Sequence, residues 1–165
     1  MSSVVQSIVA ALSGKISKEF IVFLVSMIPI LELRGSILAA GILQMDFLPT
    51  YIAAVIGNML PIPFILLFIK KIFSWLKKTR LHKIPEWIEK KALSKSAQIE
   101  KYGYFGLFLF VAIPLPGTGA WTGTLLSVLL GLKPKKSFFV VFLGVLTAGL
   151  VMSLLSFGIL KQLFA

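Results

Sequence analysis

At 165 residues the chain has room for one domain, but 58% hydrophobic and 14% charged residues with a mean hydropathy of +0.96 exclude a soluble globular domain and a disordered chain alike. No charged side chain occurs in residues 47–69, 102–132 or 137–160, and about 20 apolar residues cross a bilayer, so the composition is that of an all-α integral membrane protein. The net charge of +11 does not indicate nucleic acid, because the basic residues sit between the apolar runs without a DNA- or RNA-binding motif; the lack of cysteine excludes disulfides and thiolate chemistry.

The first segment, Ser2 to Glu19, gathers Val4, Val5, Ile8, Val9, Leu12 and Ile16 on one helical face with Ser3 as a cap, which predicts an interfacial helix. Lys15 and Lys18 follow its apolar run and no basic residue precedes it, the reverse of a cleavable signal peptide, so it is expected to be retained. Phe20 to Met45 is apolar except for Ser26, Ser36, Gln44 and a charged pair, Glu32 and Arg34, near its middle. At 1.5 Å per residue neither half spans a core of about 30 Å, and Pro29 and Gly35 interrupt a helix on either side of the pair. A re-entrant hairpin follows; the alternative is a single span carrying a buried Glu32/Arg34 ion pair.

Phe47 to Ile69 reads as a transmembrane span with Pro49 in its first turn, and Pro61 and Pro63 should kink it or begin a second segment. Residues 70–101 then hold ten Lys/Arg against Glu86, Glu89 and Glu100, the mark of a cytoplasmic loop. Within it Ile84, Ile88, Ala92, Ile99 and Tyr102 share a helical stripe, with Lys95 placed to snorkel, which predicts a second interfacial helix. Tyr102 to Leu132 is too long for one helix and too short for two spans, and its centre, Ile113 to Gly123, is rich in proline and glycine, so a second re-entrant hairpin is expected. Lys133, Lys135 and Lys136 precede the last span, Ser137 to Leu160, and Lys161 follows it.

With both hairpins re-entrant, thirteen of the 17 basic residues share the cytoplasmic side, as the positive-inside rule prefers. Residues 1–69 and 102–165 would then be half-repeats entering from opposite faces, an inverted repeat of interfacial helix, re-entrant hairpin and transmembrane helix. An offset of 85 residues pairs Phe20 with Phe105, Phe23 with Phe108, Leu24 with Leu109, Ile28 with Ile113, Pro29 with Pro114 and Pro49 with Pro134. The same offset lays Leu31 to Arg34 over Pro116 to Gly119, so the two tips are expected to face each other near the midplane.

The candidate substrate site is therefore built from Glu32, Arg34 and Gly35 on the first tip and Pro114, Pro116, Gly117, Thr118, Gly119, Trp121 and Thr122 on the second. Arg34 offers a fork of donors to a phosphate or carboxylate, and Glu32, desolvated, can exchange a proton and couple transport to it. A helix beginning near Trp121 would aim its positive end at the same cavity, and Thr124 adds a hydroxyl. Gly119, Gly123, Ser127 and Gly131, four apart, predict a close helix contact; Trp75, Trp87, Tyr102 and Tyr104 read as interface anchors. His82 reads as a solvated residue and Asp46 has no partner in view; with no HExxH, GxSxG or P-loop motif, no enzyme activity, metal or cofactor is expected.

The stretch Pro29-Ile-Leu-Glu-Leu-Arg-Gly, continuing to Gly41, resembles the P-x-x-E-x-R-G signature of the small multi-drug export protein family of prokaryotic membrane proteins. The block from Pro114 to Gly123 resembles that family's second motif, so the similarity covers nearly the whole chain. More distantly, the paired hairpins are similar to the DedA (VTT-domain) superfamily, whose members are implicated in moving lipids, including polyprenyl phosphates, and in dependence on the proton gradient. This chain is shorter than typical DedA proteins and has no Arg on its second tip. The resemblance implies a multi-pass protein of a prokaryotic inner membrane, a secondary transporter of small amphipathic or lipid-phosphate substrates. Two spans give hairpins little cover, so a homodimer in the lipid bilayer is expected. A channel and a non-transporting scaffold are the other classes to be tested.

Overall fold

The computed structural model describes residues 2–115 and 117–156, and among them the chain is helical throughout. The helices are α1 (Ser2–Leu12), α2 (Lys18–Met27), α3 (Glu32–Ile42), α4 (Phe47–Met59), α5 (Ile62–Lys77), α6 (Lys83–Leu93), α7 (Ala97–Ala112), α8 (Ala120–Leu129) and α9 (Pro134–Ser156). Among the described residues two stretches are long and apolar enough to cross a membrane, Phe47–Lys77 and Pro134–Ser156. The first is interrupted at Leu60 and Pro61, as the missing proline donor requires, and the second has Pro134 in its first position, where that donor is not needed. The chain packs as two compact units, residues 2–61 with 145–156, and residues 62–144.

In the first unit α2 and α3 form an antiparallel hairpin, each leg about 15 Å long at 1.5 Å per residue. Ser17 caps α2 by accepting from the Phe20 N–H, and the Lys18 ammonium reaches across the base to the Leu43 carbonyl at 2.9 Å, which closes the open end and satisfies a carbonyl at the end of α3. The expected first helix stops earlier than its apolar stripe. Gly14, at φ +81°, ends it beyond Leu12, so Val5 and Val9 are buried where α1 packs on α3 while Val4 faces out. α4 packs along α2 so closely that a Cβ on Gly57 would overlap the Phe23 carbonyl oxygen and Ser26 Oγ.

In the second unit the hairpin legs are residues 104–112 and α8. Gly103, at φ +57° and ψ −127°, breaks α7 in two, and residues 97–102 fold back on the leg that follows: a Cβ on Gly106 would overlap the Gln98 carbonyl oxygen. That reversal, and the break between α6 and α7, divide the single amphipathic stripe expected in the basic loop. Ala92 and Ile99 are buried, whereas Ile84 and Tyr102 are exposed. The hairpin base is closed by the Lys133 N–H donating to Tyr104 Oη at 3.0 Å, so Tyr104 is a structural acceptor. Of the stripe expected to make a close contact, Gly123 does so, its Cα facing Val111 and Leu107, while Gly119 (φ +139°) and Gly131 (φ +72°) serve the backbone at the two ends of α8.

The same local geometry recurs in the two units. Phe20 stacks on Phe23 with centroids 5.7 Å apart, and Phe105 on Phe108 at 6.4 Å. The first leg ends in extended backbone at Ile28 (φ −75°, ψ 124°) and again at Ile113 (φ −84°, ψ 118°). Gly57 lies on the Phe23 carbonyl; Gly144 lies 3.3 Å, at its would-be Cβ, from the Phe108 carbonyl. Each second leg ends in a Schellman cap, Met45 N–H to Ala40 O at 3.1 Å and Leu132 N–H to Ser127 O at 2.9 Å. The residue that takes the left-handed conformation is Gly131 in one and Gln44, at φ +51°, in the other. Gln44→Gly is therefore expected to raise stability by about 0.5–1 kcal/mol, read as a higher melting temperature in detergent; an unchanged or lower value would mean that the Gln44 side chain stabilises the cap in some other way.

Polar groups are packed into an otherwise apolar core, and large apolar side chains cover the outside. The first unit buries Ser26, Glu32, Ser36, Thr50 and Asn58, while Ile30, Leu48, Ile56, Leu150 and Leu154 face outward. In water this would cost free energy on both counts; against lipid it is the stable arrangement, because small and polar groups pack between helices and apolar side chains meet acyl chains. The chain is a membrane protein.

Candidate functional site

The first helix break is a tight turn. The Ile28 carbonyl accepts from both the Leu31 N–H (3.1 Å) and the Glu32 N–H (2.8 Å), and the chain re-enters a helix at Glu32 with φ at +46°. A left-handed φ at a side chain other than glycine costs about 1–2 kcal/mol, which the surrounding packing must offset. Glu32 is also only 7% exposed, at a depth where Ile30 and Pro29 are its apolar neighbours in sequence. An uninterrupted helix would separate Glu32 and Arg34 by about 200°. Here the carboxylate is close enough to act electrostatically on Arg34, which is half-buried. Gly35 is buried one turn beyond, and a Cβ there would lie 2.6 Å from the Leu31 Cβ, so glycine is what lets the turn fold against its own helix.

The second break is longer. The Leu115 N–H donates to the Ile113 carbonyl at 2.8 Å and the Thr118 N–H to the Leu115 carbonyl at 3.1 Å, while Thr118 Oγ1 bonds both carbonyls at 3.0 and 2.8 Å. Thr118 therefore braces the turn. Gly117, at φ +77°, is exposed, Pro114 half-buried, and Gly119 buried as the residue preceding α8; Trp121 and Thr122 lie half-buried in the first turn of that helix. Pro116, also expected in the site, lies outside the described residues. The structure thus brings Glu32, Arg34 and Gly35 together at one break, and Pro114, Gly117, Thr118, Gly119, Trp121 and Thr122 together at the other. The two groups fall in separate compact units.

Two residues join these groups that sequence reasoning did not place there. Lys95 donates to the Gly117 carbonyl at 3.0 Å, so the second tip carries a cation after all, supplied by the fold-back at Gly103. No local spacing announces it, because 22 residues separate the partners. Asn58 is 2% exposed on α4, and its Oδ1 has no hydrogen-bond partner among the described residues. It follows Gly57, which packs against Ser26 near the end of the first leg, so this orphan acceptor sits at the level of the first break. A buried amide oxygen without a partner costs about 1–3 kcal/mol, and such a group calls for a functional reason. Its signal was available: Asn58 is the one carboxamide in the uncharged run 47–69. In α8, Thr124 Oγ1 is likewise buried without a partner among the described residues.

No curated protein and no solved structure matches the chain. A family model does, over residues 32–151, beginning at the buried glutamate and running through the second break into α9. By that match the chain belongs to the family described as "putative small multi-drug export protein".

Proposed function

We propose that the chain is a secondary transporter of a prokaryotic inner membrane, with no enzymatic activity, whose substrate-binding residues lie at the two hairpin tips. In this reading residues 20–45 and 102–132 are re-entrant, the halves form an inverted repeat, and the basic segment 70–101 is cytoplasmic. The recurrence of stacked phenylalanines, extended leg ends, buried glycines and Schellman caps supports a duplication. Irregular backbone at bilayer depth needs protein cover or a wet cavity, and two spans per chain supply little cover, which favours a homodimer.

The observation that carries the reading is Glu32, a buried carboxylate held at a helix break in a strained conformation. An ionisable side chain at such depth costs at least about 2.5–3.5 kcal/mol, and Arg34 beside it supplies the counter-charge that lets a proton-exchanging group be held there. Glu32 takes up and releases the coupling proton; Arg34 holds an anionic group or orients the carboxylate. Lys95 at the second tip adds a further cation, which specifically favours the lipid-phosphate reading over export of cationic drugs, for which Glu32 would be the counter-charge.

Sealed vesicles carrying the purified protein, with an imposed proton gradient, separate the readings: gradient-dependent movement of a polyprenyl phosphate or anionic phospholipid supports the first, and of a cationic dye the second. Movement of neither, with normal phenotypes for tip variants, would point to a scaffold, and steady ionic current in planar bilayers to a channel. Asn58→Leu discriminates further. It removes an orphan acceptor, so the melting temperature should rise by the equivalent of about 1 kcal/mol while transport falls; a variant that is more stable and fully active would remove Asn58 from the site.

A further inference from the structure

In the second unit α5, α6 and α8 line a groove of about 510 Å³ that none of the hairpin-tip residues lines. Its floor is Ile69, Phe73 and Leu129, and its rim is Lys70, Ser74, Lys77, Lys78 and Glu89. Lys77 is bound to Glu89 at 2.6 Å, which ties α5 to α6 and cancels both charges. Lys70 and Lys78 have no carboxylate within ion-pair distance among the described residues. Lys70 and Ser74 lie four residues apart on α5, and Lys78 follows four further on, just past the last residue of the helix, so two cations flank a hydroxyl. A second groove, of about 400 Å³, is lined by Lys71 and Trp75 together with Lys70, Ser74 and Lys78.

The position along the chain identifies the occupant. The uncharged run that starts at Phe47 ends at Ile69, so Lys70 stands where the chain leaves the hydrocarbon, and Trp75 is the residue type that settles at that level. Phe64, Leu67 and Phe68, just before the groove, face outward. A soluble phosphate would have no use for the apolar floor; an acyl chain would.

We propose that this groove binds an anionic phospholipid, its phosphate held between Lys70 and Lys78 with Ser74 Oγ donating to it, and its acyl chain laid over Ile69, Phe73 and Leu129. The site is independent of the transport reading. It holds α5 in register with α6 and α8 at the headgroup level, where the basic segment gives the membrane surface more positive charge than one site can use.

Native mass spectrometry of the full-length protein in mild detergent tests it, with phosphatidylglycerol, phosphatidylcholine of the same chains, and inorganic phosphate as probes. Phosphatidylglycerol should bind at least about tenfold more tightly than phosphatidylcholine, and Lys70→Gln/Lys78→Gln should remove about tenfold of that affinity. Lys135→Gln/Lys136→Gln, an equal loss of charge elsewhere, should change it less than about twofold. Matching melting temperatures establish that the variants are folded; should the first pair melt early, Ser74→Ala and Lys78→Gln singly must each weaken phosphatidylglycerol binding. Equal binding of the two lipids, equal losses in the two double variants, or displacement by millimolar inorganic phosphate would overturn the proposal, the last by assigning the groove to a free anion.

Discussion

Gly57→Ala is expected to lower the stability of the protein by about 3 kcal/mol, at the upper end of the cost of overpacking, although alanine is the better helix former by about 1 kcal/mol. The reason is what the new methyl group would meet. At Gly57 it would overlap the Phe23 carbonyl oxygen, a backbone atom in the middle of α2 that cannot turn aside as a side chain could. α4 would have to move off α2. In a membrane little hydrophobic driving force holds helices together, so the loss of close contact is felt in full. Gly41→Ala, on α3 with nothing within 4 Å of the added carbon, is the matched control and should raise stability by up to about 1 kcal/mol. Thermal unfolding in detergent compares the two, and a Gly57→Ala protein as stable as wild type would mean that α2 and α4 are less tightly apposed than described. Gly144→Ala meets the Val111 Cβ at 2.7 Å, an atom that no rotamer change moves, and should be destabilising as well, though its backbone oxygen contact, Phe108 at 3.3 Å, is looser than that of Gly57.

Glu32→Gln is expected to preserve the fold and reduce proton-driven transport to the background of empty vesicles. The amide is nearly isosteric and needs no charge at depth, but it cannot carry a proton. Arg34→Ala should abolish transport too, and in addition cost about 2–3 kcal/mol. That is less than the 3–5 kcal/mol of breaking a fully buried pair, because Arg34 is half-buried. The double variant Glu32→Gln/Arg34→Gln removes both charges together; it should recover most of the lost stability and none of the transport. If instead the double variant transports at the wild-type rate, neither residue belongs to the site.

These two experiments probe features of different legibility. The helix breaks could be read directly at Pro29 and in the Pro114–Gly119 block, whose backbone chemistry forbids or disfavours a continuous helix, whereas Gly35, expected to interrupt the chain beyond the pair, lies inside α3. Glu32 and Arg34 stood out for the same elementary reason, that charge is costly among apolar residues. The fold-back at Gly103 was not legible. A lone glycine between two tyrosines is compatible with an ordinary helix, and only the approach of Gly106 to Gln98 makes the reversal necessary. The role of Lys95 was missed with it: its spacing put it in the apolar stripe of an interfacial helix, free to snorkel, and the fold delivers it to the Gly117 carbonyl.

From the amino acids alone follow the membrane as solvent, the two interruptions, the family signature and the charged pair among apolar residues, because each depends on local chemistry or on transfer free energy summed along a short window. Which glycines touch a neighbouring backbone, which tip acquires a cation, that Asn58 Oδ1 finds no partner among the described residues and that Lys70 and Lys78 line a groove all required the folded chain. Those properties depend on atoms tens of residues apart coming within a few ångströms, and no window of sequence contains both partners.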